Sequence, residues 1–163
     1  MTSTLVVDSP VGKLRLCADA SVITGISFVD EGLDDGSQIG YSSVLDEARR
    51  QLAAYFSGDR QKFELPLAAG GTDFQRAVWA ELASIPFGAT SSYGEIARRL
   101  GKSPGASRAV GMANGANPIA IVVPCHRVIG TNGKLVGFAG GLERKRYLLG
   151  FESSKARQGM LFP

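Results

Sequence analysis

The chain has 163 residues and a net charge of +3, with 44% hydrophobic and 20% charged residues, an ordinary composition for a water-soluble core of one domain or two small ones. No apolar run approaches the roughly 20 residues of a membrane span, and the first residues lack the basic flank and apolar stretch of a signal peptide. Two cysteines and a single histidine are too few for a sulfur- and nitrogen-rich four-ligand zinc site, so no metal is expected.

In chain order, Thr4–Val7, Lys13–Ala18 and Val22–Val29 read as strands of a small antiparallel meander, because β-branched residues hold most of their apolar positions. Cys17 falls in the second of these and reads as a buried small hydrophobe. Residues 30 to 41 are acidic, Gly-rich and aperiodic, hence a loop. A helix is predicted from about Val44 to Phe56, capped by Ser42 or Ser43 and ended by Gly58. Its apolar stripe is Leu45, Ala48, Leu52 and Phe56, with Tyr55 beside it. Lys62–Leu65 is a candidate return to the sheet, and Ala68-Ala69-Gly70-Gly71 has the composition of a linker.

That linker divides the chain into predicted domains 1–71 and 72–163. The first holds 6 Lys/Arg and 10 Asp/Glu, a net −4; the second holds 12 and 5, a net +7. The contrast suggests that the second half faces a polyanion, although a solvated basic surface has the same composition.

Thr72 to Gln75 is a capping box that opens a helix packing through Phe74, Ala77, Val78 and Leu82 and stopping before Pro86; Trp79 reads as core. Ser92 to Glu95 is a second box, starting a short helix to Leu100 that Gly101 terminates. Ser103-Pro104 supplies cap and first-turn Pro for a third helix reaching about Asn114. The pair forms a helix-turn-helix pattern. Its second member is poor in bulk and carries Arg108 as its only charge, which suits close approach either to another helix or to a nucleic-acid backbone.

Ile119 to Val123 reads as a buried extended run that delivers Pro124-Cys125-His126-Arg127. Thr131 to Lys134 is a turn signal suited to a tight hairpin. A final helix from Leu142 to about Phe151 is anchored by Leu142, Tyr147, Leu148 and Phe151, with a polar, frayed tail after Glu152.

A soft nucleophile beside the chain's only histidine is a chemical arrangement. Adjacent residues do not give Cys125 and His126 a relaxed direct hydrogen bond, but one water can bridge them, and an acid is needed at the other imidazole nitrogen. Glu152 is the candidate. A cysteine hydrolase shares this residue set, and a DNA-binding protein that does not react shares the basic half. A disulfide between Cys17 and Cys125 is arithmetically possible but not expected in a cytosolic setting.

Pro124-Cys125-His126-Arg127-Val128, Ser107-Arg108-Ala109-Val110-Gly111, Asn117-Pro118 and Gly140-Gly141-Leu142 together resemble the O6-alkylguanine-DNA alkyltransferase family. The resemblance is strong over 72–152 and extends to the first 71 residues in layout only. It implies an α+β chain, with an N-terminal antiparallel sheet and helix in a ribonuclease H-like arrangement before a mainly helical, winged helix-turn-helix-like domain. It implies irreversible, stoichiometric transfer of the alkyl group from O6-alkylguanine, and O4-alkylthymine, to Cys125 without a cofactor. The runner-up reading is a binder of alkylated DNA without transfer.

The resemblance also implies site roles. Cys125, His126 and Glu152 form the relay, Asn117 braces the active-site loop, and Tyr93 helps protonate the leaving base. Arg108 fills the space of a flipped base in double-stranded DNA held by its minor groove. Ser92, Tyr93, Ala109, Ala113 and Arg127 join Arg108 on the DNA, and Val136, Gly137, Phe138 and Ala139 wall the base pocket. Phe138-Ala139 departs from the Tyr-Ser of some relatives, which removes two hydroxyls from that wall. A cytoplasmic monomer is expected, with cooperation between copies on DNA left open.

Overall fold

The structure is a computed structural model that describes residues 2–29, 38–130, 132, 133, 138 and 140–161. The chain forms two compact units, one of residues 1–70 with Pro118–Ala120, the other of Gly71–Asn117 with residues 121–163.

The first unit is a four-stranded sheet, with strands β1 (Thr2–Val7), β2 (Leu14–Asp19), β3 (Val22–Phe28) and β4 (Gln38–Ile39) in the order β3-β2-β1-β4. All three pairings are antiparallel. On β2 alternation places Leu14, Leu16 and Ala18 in the core. On β3 the buried residues, Ile23 and Ile26, stand three apart. The register shift at Cys17/Ala18 resolves this, because the extra residue turns both isoleucines to one face. The same alternation puts Cys17 on the other face, half-buried, and corrects its reading as a core residue. Gln38 and Ile39, read from composition as loop, pair with Leu5 and Thr4 through backbone groups; residues 30–37 lie outside the described residues.

Helix α1 (Ser43–Ser57) covers the sheet with Leu45, Ala48, Leu52 and Tyr55. Tyr55 is fully buried and meets the rings of Phe56 and Phe63, so it takes the core place expected for Phe56. Gly58 ends the helix in the left-handed conformation, at φ 90°. Ser42 sits at the N-cap without a side-chain capping bond. The chain returns to the sheet at Leu67, beside Ile23, two residues beyond the predicted stretch. The buried Gln51 holds the intervening loop: its amide donates to the Glu64 carbonyl at 3.0 Å and accepts from the Glu64 N–H at 2.9 Å. Ile119 adds a parallel bridge to Ile26.

The second unit begins with α2 (Asp73–Ala83), where both halves of the Thr72–Gln75 capping box are present. Strand β5 (Ser91–Ser92) leads into α3 (Tyr93–Arg99). The Ser92 hydroxyl caps α3 by accepting from the Glu95 N–H at 3.1 Å, while the Glu95 carboxylate turns to Arg98 and Arg99. A 3₁₀ turn at Pro104–Ala106 precedes α4 (Ser107–Gly115). Helix α4 packs on α2 and α3 through Val110 and Ala113, and Trp79 donates to the Ala113 carbonyl at 2.8 Å.

The segment before Cys125 overturns its strand reading. Only Ile119 pairs; residues 120–123 turn, and Ile121 holds φ 71°, a conformation that a β-branched residue rarely adopts. The apolar run reflects burial, not extended geometry. A 3₁₀ turn at Cys125–Arg127 follows, then β6 (Val128–Ile129), which pairs parallel to β5. Helix α5 runs from Leu142 to Leu161, through the stretch read as a frayed tail. Its buried stripe is Lys145, Leu148 and Glu152, whereas the expected anchors Leu142 and Tyr147 are over 40% exposed. The Asn132-Gly133 turn is present, with Gly133 at φ 80° donating to the Gly130 carbonyl; the return strand of that hairpin lies outside the described residues.

Candidate active site

Pro124 and the turn after it place three consecutive side chains in the interior, with Cys125 6%, His126 0% and Arg127 6% exposed. The turn closes on itself through the Arg127 N–H and the Pro124 carbonyl at 3.0 Å. The end of α4 fixes it from one side. Asn114 donates to the Cys125 carbonyl at 3.3 Å, and Asn117 donates to the Val123 carbonyl at 2.8 Å. The Asn117 side chain also hydrogen-bonds the Cys125 thiol.

From the other side α5 supplies Glu152. One carboxylate oxygen lies 2.8 Å from His126 Nε2; Arg127 donates Nε to the other oxygen at 2.8 Å and Nη2 to the first at 2.9 Å. Arg127 Nη1 donates to the Ile85 carbonyl at 2.6 Å, and the guanidinium lies 5.8 Å from the Phe87 ring centre. This corrects the assignment of Arg127 to the DNA surface. Its guanidinium is spent on Glu152 and a main-chain carbonyl, in the bidentate geometry that a carboxylate favours.

The charges follow from burial and pairing. Burial pushes the Glu152 carboxyl up, but hydrogen bonds from His126 and Arg127 outweigh it and hold the group at about 2. An ionised carboxylate accepts only, so the imidazole carries its proton on Nε2. Burial pushes His126 below its ordinary 6.5, against the pull of Glu152. His126 Nδ1 is buried with no hydrogen-bond partner among the described residues. Burial raises the Cys125 thiol, with the Asn117 hydrogen bond and the charge of Lys145 working the other way. Lys145, also lowered by burial, has its ammonium 6.0 Å from the Phe138 ring centre.

Tyr93 opens α3 beside this centre. Its hydroxyl is raised by burial and then by the charge of Cys125, and its ring edge would lie 3.8 Å from a Cβ on Gly111. On the outer side of α4, Arg108 and Ala109 are exposed, and Met112 is 72% exposed. Ala113 is 3% exposed and faces inward, which removes it from the predicted DNA surface; Met112 occupies the outer position. Phe138 is half-buried, while Val136, Gly137 and Ala139 lie outside the described residues.

Two members of this centre escaped the sequence reading, Asn114 and Lys145. The Arg144-Lys145-Arg146 run gives no sign of which charge turns inward, but counting three back and four on from Leu148 finds Lys145 and Glu152 on one stripe.

A buried thiol beside a histidine–carboxylate pair, in the same unit as a helix-turn-helix pair, defines a nucleophilic cysteine protein of the DNA-binding class. The profile of the 6-O-methylguanine DNA methyltransferase DNA binding domain matches residues 73–154, and that of the family's ribonuclease-like domain matches residues 3–69. The chain is 48% identical over 156 residues to a methylated-DNA–protein-cysteine methyltransferase of Mycobacterium tuberculosis, covering 92% of both chains. The crystal structure of M. tuberculosis O6-methylguanine methyltransferase superposes with a TM-score of 0.85 at 46% identity, over 95% of this chain and 94% of that one. The M. tuberculosis OGT solved in complex with DNA superposes with a TM-score of 0.82 at 47% identity, over 92% of each chain. The chain therefore belongs to the 6-O-methylguanine DNA methyltransferase family.

Proposed function

We propose that the chain repairs alkylated DNA by direct reversal, with Cys125 as the acceptor of the alkyl group from O6-alkylguanine and, by the same chemistry, O4-alkylthymine. The single observation that carries the assignment of Cys125 is its place: a buried thiol one residue from a histidine that is itself locked to Glu152 at 2.8 Å. Transfer is a displacement at saturated carbon. The Cys125 Sγ–carbon bond forms, the carbon–O6 bond breaks, and its electron pair leaves with the base. The thiol proton passes through a water to His126 Nδ1, the unpartnered nitrogen, and Tyr93 donates toward the departing base. The balance closes without oxidant or cofactor, and the thioether product has no easy hydrolytic exit, so each molecule acts once.

The chain binds double-stranded DNA. The outer side of α4, with Arg108, Ala109 and Met112, is the surface we assign to it, entering the minor groove while Arg108 takes the place of the extruded base. The small side chains of α4 keep the duplex close, and the groove's sparse code leaves discrimination to the base pocket. Ser92 and Tyr93 meet the backbone at the start of α3, and Phe138 walls the base. No helix of the described residues is long and apolar enough to cross a membrane, and a cytoplasmic monomer acting on chromosomal DNA fits this reading.

Intact-mass analysis after incubation with a duplex carrying O6-methylguanine tests the assignment. Wild-type protein gains one methylene mass on Cys125, whereas C125S gains none and still binds the duplex. Bound but unmodified wild-type protein would instead favour a binder that does not react.

A further inference from the structure

We propose that Arg127 is a positioning residue that keeps His126 a neutral base, by gripping both oxygens of Glu152 and anchoring that grip on the Ile85 carbonyl. The inference rests on the relay described above and adds a member to it.

Three bonds from one guanidinium define the grip: 2.8 and 2.9 Å to the two Glu152 oxygens and 2.6 Å to Ile85. The Glu152 oxygen that accepts from Arg127 Nη2 is also the one that faces His126 Nε2. Glu152 therefore shares its charge between a permanent cation and a titratable ring. Arginine does not titrate in this range, so the carboxylate's demand for a counter-charge is met before the imidazole is asked to supply it. The charged groups acting on His126 are Glu152 and Lys145 from α5 and Arg127 from its own turn, while Lys145 and Tyr93 act on the neighbouring Cys125. Of these only Glu152 favours the imidazolium. Burial opposes it first, and Arg127 and Lys145 oppose it further. The consequence is a fixed tautomer, with the proton on Nε2 and Nδ1 free to take the thiol proton. Without Arg127 the same carboxylate would draw a second proton onto the ring and fill the nitrogen that must accept.

The chain has one histidine, so ¹⁵N-histidine labelling yields a single pair of imidazole signals. In the wild-type protein these signals are expected to report a neutral, Nε2-protonated ring at neutral pH; an imidazolium there overturns the proposal, whatever the variants do. In R127M the midpoint of the ring's titration should rise by at least about one pH unit. Methyl transfer should follow the neutral fraction of the ring, so that the acid limb of its pH profile moves upward by the same interval as the midpoint and transfer recovers as the solution is made more alkaline. R127K keeps the charge but not the fork, and should lie between the two. It also stands in should R127M fail to fold, which Trp79 fluorescence reports. Unchanged imidazole titration and an unchanged pH profile in the variant that folds would reduce Arg127 to a structural brace. A displaced imidazole titration with an unaltered rate profile would leave Arg127's hold on His126 standing and sink the relay itself.

Discussion

Arg108 projects from α4 into solvent, while every charged side chain of the reactive centre is enclosed. This separation lets duplex opening be tested apart from chemistry. A side chain that fills the stack has nothing to do when the base is already free. R108A should therefore repair an O6-methylguanine duplex much more slowly than wild type, yet accept the benzyl group of free O6-benzylguanine at close to the wild-type rate. Single-turnover rates on the two substrates make the comparison. Equal losses on both would deny Arg108 a role in base extrusion and point to damage at Cys125. Arg127, one residue from the histidine and equally charged, gives the opposite case. The sequence shows an arginine in a basic half, and only the packing of α5 against the turn reveals that its charge is internal.

At the scale of elements, what was legible was local. The Thr72–Gln75 box and the Gly58 stop are written in neighbouring residues, and both stand where those neighbours place them. The course of Ile119–Val123 and the extent of α5 were not legible, because both depend on distant partners. An apolar run announces burial without saying whether the chain is extended or turning, and the polar ends of Lys145 and Glu152 enter the core beside groups far off in the sequence, an aromatic ring for the first and a histidine and an arginine for the second. Two glycines show how far backbone and packing can be separated. Gly88 and Gly101 have φ of 83° and 73°, so a side chain strains either one. At Gly101 an added Cβ meets nothing within 4 Å, while at Gly88 it would lie 2.6 Å from the Ala156 Cβ of α5. G101A should cost about 1 kcal/mol from the left-handed backbone alone, and G88A about 3 kcal/mol once overpacking is added. Urea unfolding followed by Trp79, the chain's only tryptophan, reads both. Ala156→Gly alone should cost about 1 kcal/mol by helix propensity, yet be neutral or favourable in G88A. Equal costs for the two glycine variants would show that α5 yields to the intruding methyl.

For the molecule as a whole, the buried His126–Arg127–Glu152 cluster ties stability to acidity in two stages. Glu152 is held at about 2 against an ordinary 4.5: burial raises it, and the hydrogen bonds from His126 and Arg127 more than reverse that. A depressed carboxyl contributes its full stability above 4.5 and loses it as the pH falls toward 2, a contribution of about 3 kcal/mol for a depression of this depth. His126 is depressed below 6.5, chiefly by burial. The unfolded chain takes up a proton below that value while the folded ring resists, so the folded state loses ground from about pH 6.5 downward. Unfolding free energy, read through Trp79, should be level from pH 8 to 7, decline gently below 6.5 and fall steeply below 4.5. H126Q should flatten the upper stage. E152Q should remove the lower one and destabilise the protein at pH 7 by about 3–5 kcal/mol, since it strands Arg127 in the interior without a counter-charge. A wild-type profile that stayed level from pH 7 to 5 would contradict a neutral, buried imidazole. An E152Q protein as stable as wild type at pH 7 would contradict the charge assigned to the Arg127–Glu152 pair.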